Sequence, residues 1–154
     1  MAPTPEPAKH VPWPVHAARQ LKFVIPGALA TYYIGVLEEY WRTLVGINGP
    51  LARTGALTAG GLGLTTVALL LYVISLYYTA AEPDFRSWRD SSPLRRVITT
   101  MTGSIVLGWL VAVGTLGQWS SLGYVKSVVG VTGVYALTMG LLGLIPVPKT
   151  KRKA

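Results

Sequence analysis

The chain has 154 residues, of which 51% are hydrophobic and only 13% are charged, and its formal net charge is +8. Soluble domains carry about 25% charged residues, so this composition excludes an ordinary soluble helical bundle. The chain contains no cysteine, which excludes disulfides, thiolate nucleophiles, iron–sulfur clusters and cysteine-based zinc sites.

Residues 1–20 are predicted to form a flexible N-terminal tail. Prolines stand at positions 3, 5, 7, 12 and 14, and no apolar run follows a basic start, so we expect no secretory signal peptide. The histidines of the chain, His10 and His16, lie in this segment without a cluster of other metal-binding residues. We therefore expect no metal site and no cofactor.

The first apolar stretch, Leu21–Leu37, predicts a transmembrane helix over about residues 21–41. Glu38, Glu39 and Arg42 lie at its far end. We expect Glu38 and Arg42 to pair one helical turn apart in the headgroup zone. The alternative is a carboxylate–guanidinium site that faces the interior of the bundle, where an ionisable group would indicate transport.

Three longer apolar stretches follow, and they predict transmembrane helices over about residues 56–80, 97–119 and 124–147. Each exceeds the roughly 20 apolar residues that cross a bilayer core of about 30 Å. Together with the first stretch they form one transmembrane domain, residues 21–148. We therefore predict an all-α integral membrane protein, a bundle of four transmembrane helices.

The most polar segment is the loop between the second and third predicted spans, residues 82–96. Its acidic residues include Asp84, and its basic residues include Arg86 and Arg89. Carboxylates that bind a divalent cation beside arginines that clamp a phosphate could act on a lipid headgroup. The competing interpretation is a solvated loop whose charges fix the topology.

The C-terminal tail, residues 149–154, is basic and adds a candidate address signal. Lys151 and Arg152 stand fourth and third from the end, a pattern that resembles the cytosolic dilysine retrieval signal of endoplasmic reticulum membrane proteins. In a eukaryotic cell this favours the endoplasmic reticulum membrane. A purely topological role for these charges explains the pattern equally well.

The distribution of Lys and Arg predicts the orientation of the four spans. With four crossings, 11 of these residues lie on the side of both termini and the 82–96 loop, and three lie on the other side. Cytoplasmic segments carry the excess of basic residues, so both termini are predicted to be cytosolic. Because the charges cluster beside spans, we expect contact with membrane lipids and not with nucleic acid.

Small residues recur at helical spacing in the last three spans, where they would let helix backbones approach closely. They predict either a compact bundle or a face reserved for a partner. The predicted packing residues are Gly55, Ala59 and Gly63 in the second span, Ser104, Gly108 and Ala112 in the third, and Gly130, Gly133, Ala136, Gly140 and Gly143 in the fourth.

The interiors of the last three spans contain no ionisable group of the kind that marks transport, and no catalytic residue is predicted. We therefore expect a non-catalytic subunit, scaffold or assembly factor that packs against a larger integral membrane protein or against copies of itself. One alternative is a lipid-modifying enzyme, or its subunit, that uses the 82–96 loop. The second is an oligomeric transporter or channel that uses Glu38 and Arg42.

Overall fold

The computed structural model describes residues 13–78 and 92–145, and within these ranges it is helical with no strand. Residues 1–12, 79–91 and 146–154 lie outside the described part. The helices are α1 (Trp13–Ile34), α2 (Val36–Val45), α3 (Pro50–Tyr78), α4 (Ser92–Trp119) and α5 (Gly123–Gly143). The predicted helical fold class is thereby confirmed.

Three helices are long and apolar enough to cross a membrane: Pro50–Leu76 in α3, Pro93–Trp119 in α4 and Gly123–Gly143 in α5. The pair Ala17–Ile34 and Val36–Val45 passes the same test only if it is taken as one span bent by 56°. These helices make the chain compatible with an integral membrane protein. Lipid offers no partners to backbone N–H and C=O groups, so continuous helices are the structure that such segments adopt.

The break between α1 and α2 differs from the single first helix expected from the sequence. Gly35 adopts φ 68° and ψ 27°, a left-handed conformation that glycine adopts without the steric penalty of a Cβ atom. The chain therefore turns after Ile34, and α2 leaves the direction of α1. Helix α1 also begins at Trp13, inside the segment predicted as a tail. Its first two turns therefore lie ahead of the apolar stretch Leu21–Leu37.

Turn-forming residues stand where the later helices begin. Pro50 is the first residue of α3, directly after a turn in which Gly49 has φ 100°. Proline suits the first helical turn because its missing N–H would have no partner there. Helix α4 begins at Ser92, with Pro93 second, and residues 120–122 form the short turn to α5.

The helices lie side by side in the order α1, α5, α4, α3, and α2 contacts α3, α4 and α5 near one end. Within the described residues no Cα atom of α3 lies within 8 Å of a Cα atom of α1 or α5. Helices α3 and α5 therefore stand as separate walls on either side of α4. Val36, Val113, Leu116 and Val131 form the buried apolar core where α2 meets α4 and α5.

Candidate functional site

Helix α1 runs antiparallel along α5, and the glycines of α5 form the surface between them. A Cβ atom on each of these glycines would meet a side chain of α1 or of the α1–α2 junction. The facing pairs are Gln20 with Gly143, Val24 with Gly140, Ala30 with Gly133, and Val36 with Gly130. The glycine stripe of α5 is therefore covered by the chain itself. Ala136, in the same stripe, is half-buried.

The closest approach lies where Gly27 of α1 crosses Gly133 of α5. A Cβ atom on Gly27 would lie 2.8 Å from the Gly133 carbonyl oxygen and 2.8 Å from the Leu137 amide nitrogen. Real Cβ atoms do not approach backbone so closely. Small residues allow this backbone contact, which is the main source of helix association where lipid surrounds the helices.

The predicted packing residues of α3 and α4 also face inward. Ala59 and Ser104 are buried, and Ala112 is half-buried against the core. Gly55 lies against the Thr115 side chain, and Gly108 lies under the Tyr135 hydroxyl. Gly63 differs from these, because a Cβ atom there would meet nothing within 4 Å.

That open space belongs to a cleft of about 220 Å³ between α3 and α5. Helix α4 forms its floor, α3 and α5 form its walls, and α2 closes one end. Lining residues from the four helices are Tyr40 (α2), Gly63 and Thr66 (α3), Gly108 and Leu116 (α4), and Tyr135 (α5).

Tyr40 fixes α2 across the end of the cleft. Its hydroxyl donates a hydrogen bond of 2.7 Å to the Ala56 carbonyl oxygen and lies directly against Gly60, where any Cβ atom would displace it. The bond joins α2 to α3 and so holds α2 at the end of the cleft.

The polar residues of α2 form a pair that differs from the predicted one. Arg42 Nη1 donates to Glu39 Oε1 at 3.2 Å, and Glu38 is exposed, so the expected Glu38–Arg42 pair is wrong. The Ser121 hydroxyl also donates to Glu39 Oε1, at 2.9 Å. Glu39 faces the α4–α5 turn with only 13% of its side chain exposed, and this contact selects it as the partner.

This cluster lies at the end of the bundle and not in the cleft. Glu39 joins α2 to the turn that contains Ser121, and Arg42 is half exposed beside it. None of the residues that line the cleft is Asp, Glu, Lys, Arg or His. The described residues also contain no group of three or more His, Asp or Glu side chains that could hold a metal ion.

The outward side of α3 carries a surface that sequence reasoning missed. It consists of the exposed residues Thr54, Thr58, Gly61, Thr65, Ala68 and Tyr72, spaced alternately four and three apart. We call it the outer α3 face. With 3.6 residues per turn, this spacing places the face opposite the side of α3 that packs on α4. The spacing was the available signal, but it does not reveal which of two small-residue rows faces inward.

Other predicted residues lie outside the described ranges. These are Asp84, Arg86 and Arg89 of the loop and Lys151 and Arg152 of the tail. Their proposed roles stay predictions from the sequence.

Comparisons with protein families, with curated proteins and with solved structures find no significant match to this chain.

Proposed function

We propose that the protein is a non-catalytic membrane subunit, scaffold or assembly factor that binds a transmembrane helix of a partner on the outer α3 face. The observation that carries this proposal is the position of the face: a row of small residues, followed by Tyr72, runs along an apolar helix on the side turned away from the bundle. Small residues at this spacing favour close contact between helices in lipid.

The threonine hydroxyls of the outer α3 face are satisfied within α3 itself. Thr54, Thr58 and Thr65 donate to the carbonyl oxygens four residues earlier, each at 2.9 Å. These three groups therefore do not need a polar partner, and this part of the face can meet an apolar helix without leaving a threonine hydroxyl unpaired. Gly61, at the middle, has open space where a Cβ atom would lie.

A ridge of leucines borders the same surface. Leu57, Leu64 and Leu71 are exposed and recur every seven residues beside the row of small residues. Large side chains next to a groove of small ones provide the knobs and holes by which two membrane helices interdigitate. The other small-residue rows offer no such surface, because the chain's own helices cover most of them.

We also propose that the bent pair α1–α2 completes a fourth crossing and that both termini are cytosolic. The antiparallel course of α1 along α5 supports insertion of α1 to a similar depth. Exposed aromatic residues gather at the end of the bundle that contains α2: Tyr32, Tyr33, Trp41, Trp119 and Tyr124. Aromatic residues favour both membrane–water interfaces, so this end is proposed to lie at a membrane surface. Only three basic residues, Arg42, Arg53 and Lys126, lie on this side, which favours the non-cytosolic surface.

The endoplasmic reticulum remains the proposed compartment in a eukaryotic host. It depends on Lys151 and Arg152 acting as a retrieval signal. Replacing both residues with alanine in a tagged chain should move the protein to later compartments in fluorescence microscopy. Unchanged retention would remove this part of the proposal.

The subunit proposal is tested by purification of the tagged chain in mild detergent, followed by identification of proteins retained at a constant ratio. Gly61→Leu should release the partner, because a leucine side chain would hold the two helices apart. Gly103→Leu is the matched control, since Gly103 lies on α4 and also has open space around its Cβ position. It should leave the complex intact.

A second transmembrane protein, or a second copy of this chain, that is lost only in Gly61→Leu would support the proposal. A wild-type chain that purifies alone would contradict it. So would a partner that withstands Gly61→Leu.

A further inference from the structure

The cleft between α3 and α5 has the size of a narrow ligand site. Its volume of about 220 Å³ exceeds that of an engineered apolar cavity of about 150 Å³ that takes up benzene. The cleft can therefore hold a slender apolar group such as a single hydrocarbon chain.

The bilayer is the natural source of such a chain. Within the described residues the Cα atoms of α3 stay more than 8 Å from those of α5 and α1, so neither of these helices closes the side of the cleft opposite α4. Leu37, at its edge, is exposed. The cleft extends from α2 to Thr66 and Thr138, which lie 16 and 15 residues after the first residues of α3 and α5, and so reaches deep into the apolar helices.

Most polar groups in the cleft already have partners. The hydroxyls of Thr66 and Thr138 donate to carbonyl oxygens of their own helices at 3.0 and 2.8 Å. Tyr40 donates to Ala56. These groups leave the cleft apolar along most of its length.

Tyr135 is the exception. Its hydroxyl makes no hydrogen bond to any described residue, and it is not enclosed by protein. It lies over Gly108, where a Cβ atom would stand 2.6 Å from the hydroxyl oxygen. The hydrocarbon core of a bilayer contains no water that could accept a hydrogen bond from this O–H group. A ligand with an acceptor oxygen would therefore gain a hydrogen bond there.

We propose that the cleft binds one hydrocarbon chain that carries a carbonyl oxygen, with the Tyr135 hydroxyl as the hydrogen-bond donor to that oxygen. The ligand is an uncharged lipid, because the cleft offers no charged side chain. This site is separate from the outer α3 face, and its existence does not depend on the proposed subunit role.

The test uses two photoreactive probes in liposomes that contain the purified full chain. One is a long-chain methyl ketone that carries a diazirine, and the other is the same chain without the ketone. The ketone probe should label cleft residues of α3 and α5 at a saturable, stoichiometric level. Labelling that is spread evenly over the outward faces and does not saturate would overturn the proposal.

Two glycines with open Cβ positions provide matched variants. Gly63→Leu places a side chain in the open space of the cleft and should abolish saturable labelling. Gly103→Leu, on α4 and outside the cleft lining, should leave labelling as in wild type. If both variants label as wild type does, the cleft is not the site.

Tyr135→Phe keeps the ring over Gly108 and removes only the hydroxyl, so it tests the donor even if a leucine variant fails to fold. Loss of one neutral hydrogen bond should weaken binding of the ketone probe about twofold to tenfold. Binding of the hydrocarbon probe should not change. Equal effects on the two probes, or no effect on either, would refute the assignment of Tyr135 as donor.

Discussion

Gly27→Ala tests the contact on which the α1–α5 pair depends. The added methyl group would lie 2.8 Å from two backbone atoms of α5, the Gly133 carbonyl oxygen and the Leu137 amide nitrogen. Ordinary contacts of a Cβ atom are 3.4–4 Å. Neither atom is the movable end of a side chain, so the two helices would have to separate along their common surface.

The expected loss of stability follows from two opposing effects. Overpacking of this kind destabilises by about 1–3 kcal/mol. Replacing glycine with alanine in a helix contributes up to about 1 kcal/mol in the stabilising direction. Gly103→Ala experiences only the second effect, because its Cβ position is open. The difference between the two variants should therefore be about 1–3 kcal/mol, with Gly27→Ala the less stable.

The free energy of unfolding can be measured by titrating each variant with sodium dodecyl sulfate in mild-detergent micelles and following helicity. Using Gly103→Ala as the reference removes the change in helix propensity from the comparison. If Gly27→Ala unfolds at the same detergent fraction as Gly103→Ala, the helices do not approach each other as closely as described. The assigned packing of α1 on α5 would then be wrong.

Two further substitutions test the contacts that hold α2 in place, by the same titration. Glu39→Ala removes the acceptor of Arg42 and Ser121 and should destabilise by about 1–2 kcal/mol, discounted for the half-exposed arginine. The exposed neighbour in Glu38→Ala should change stability by less than about 0.5 kcal/mol; equal effects would contradict the pairing. Tyr40→Phe removes the bond to the Ala56 carbonyl and should cost about 1 kcal/mol. Tyr32→Phe, on an exposed ring, should leave the free energy of unfolding unchanged. A larger loss of stability in Tyr32→Phe than in Tyr40→Phe would contradict the position assigned to α2.

The sequence predicts helices α3, α4 and α5 well because a long apolar run in lipid has only one regular structure available. The predicted span 97–119 ends at the last residue of α4, and the span 124–147 begins one residue after the start of α5. Helices α3 and α4 begin six and five residues before the predicted spans 56–80 and 97–119. The first helix was predicted less well. Gly35 turns the chain through a single backbone conformation, and a glycine in an apolar run does not reveal whether it will adopt that conformation.

The candidate sites required the three-dimensional arrangement. Glu38 and Glu39 both lie about one helical turn before Arg42, so either could pair with it. The contact that favours Glu39 comes from Ser121, which is 82 residues from Glu39 in the sequence. The two small-residue rows of α3 also have similar spacing, and only the position of α4 shows that the row with Gly63 faces inward. The cleft arises because α3 and α5 both pack on α4 without meeting, which no local pattern encodes.

A single-cysteine scan along α3, with control positions on α4, tests the proposed partner surface most directly. The chain has no cysteine of its own, so each variant carries one reactive thiol in native membranes. The outer α3 face predicts cross-links to a partner at Thr58, Gly61 and Thr65 but not at Val106 and Leu110, which are exposed on α4. Equal cross-linking at all five positions, or at none, would contradict the account.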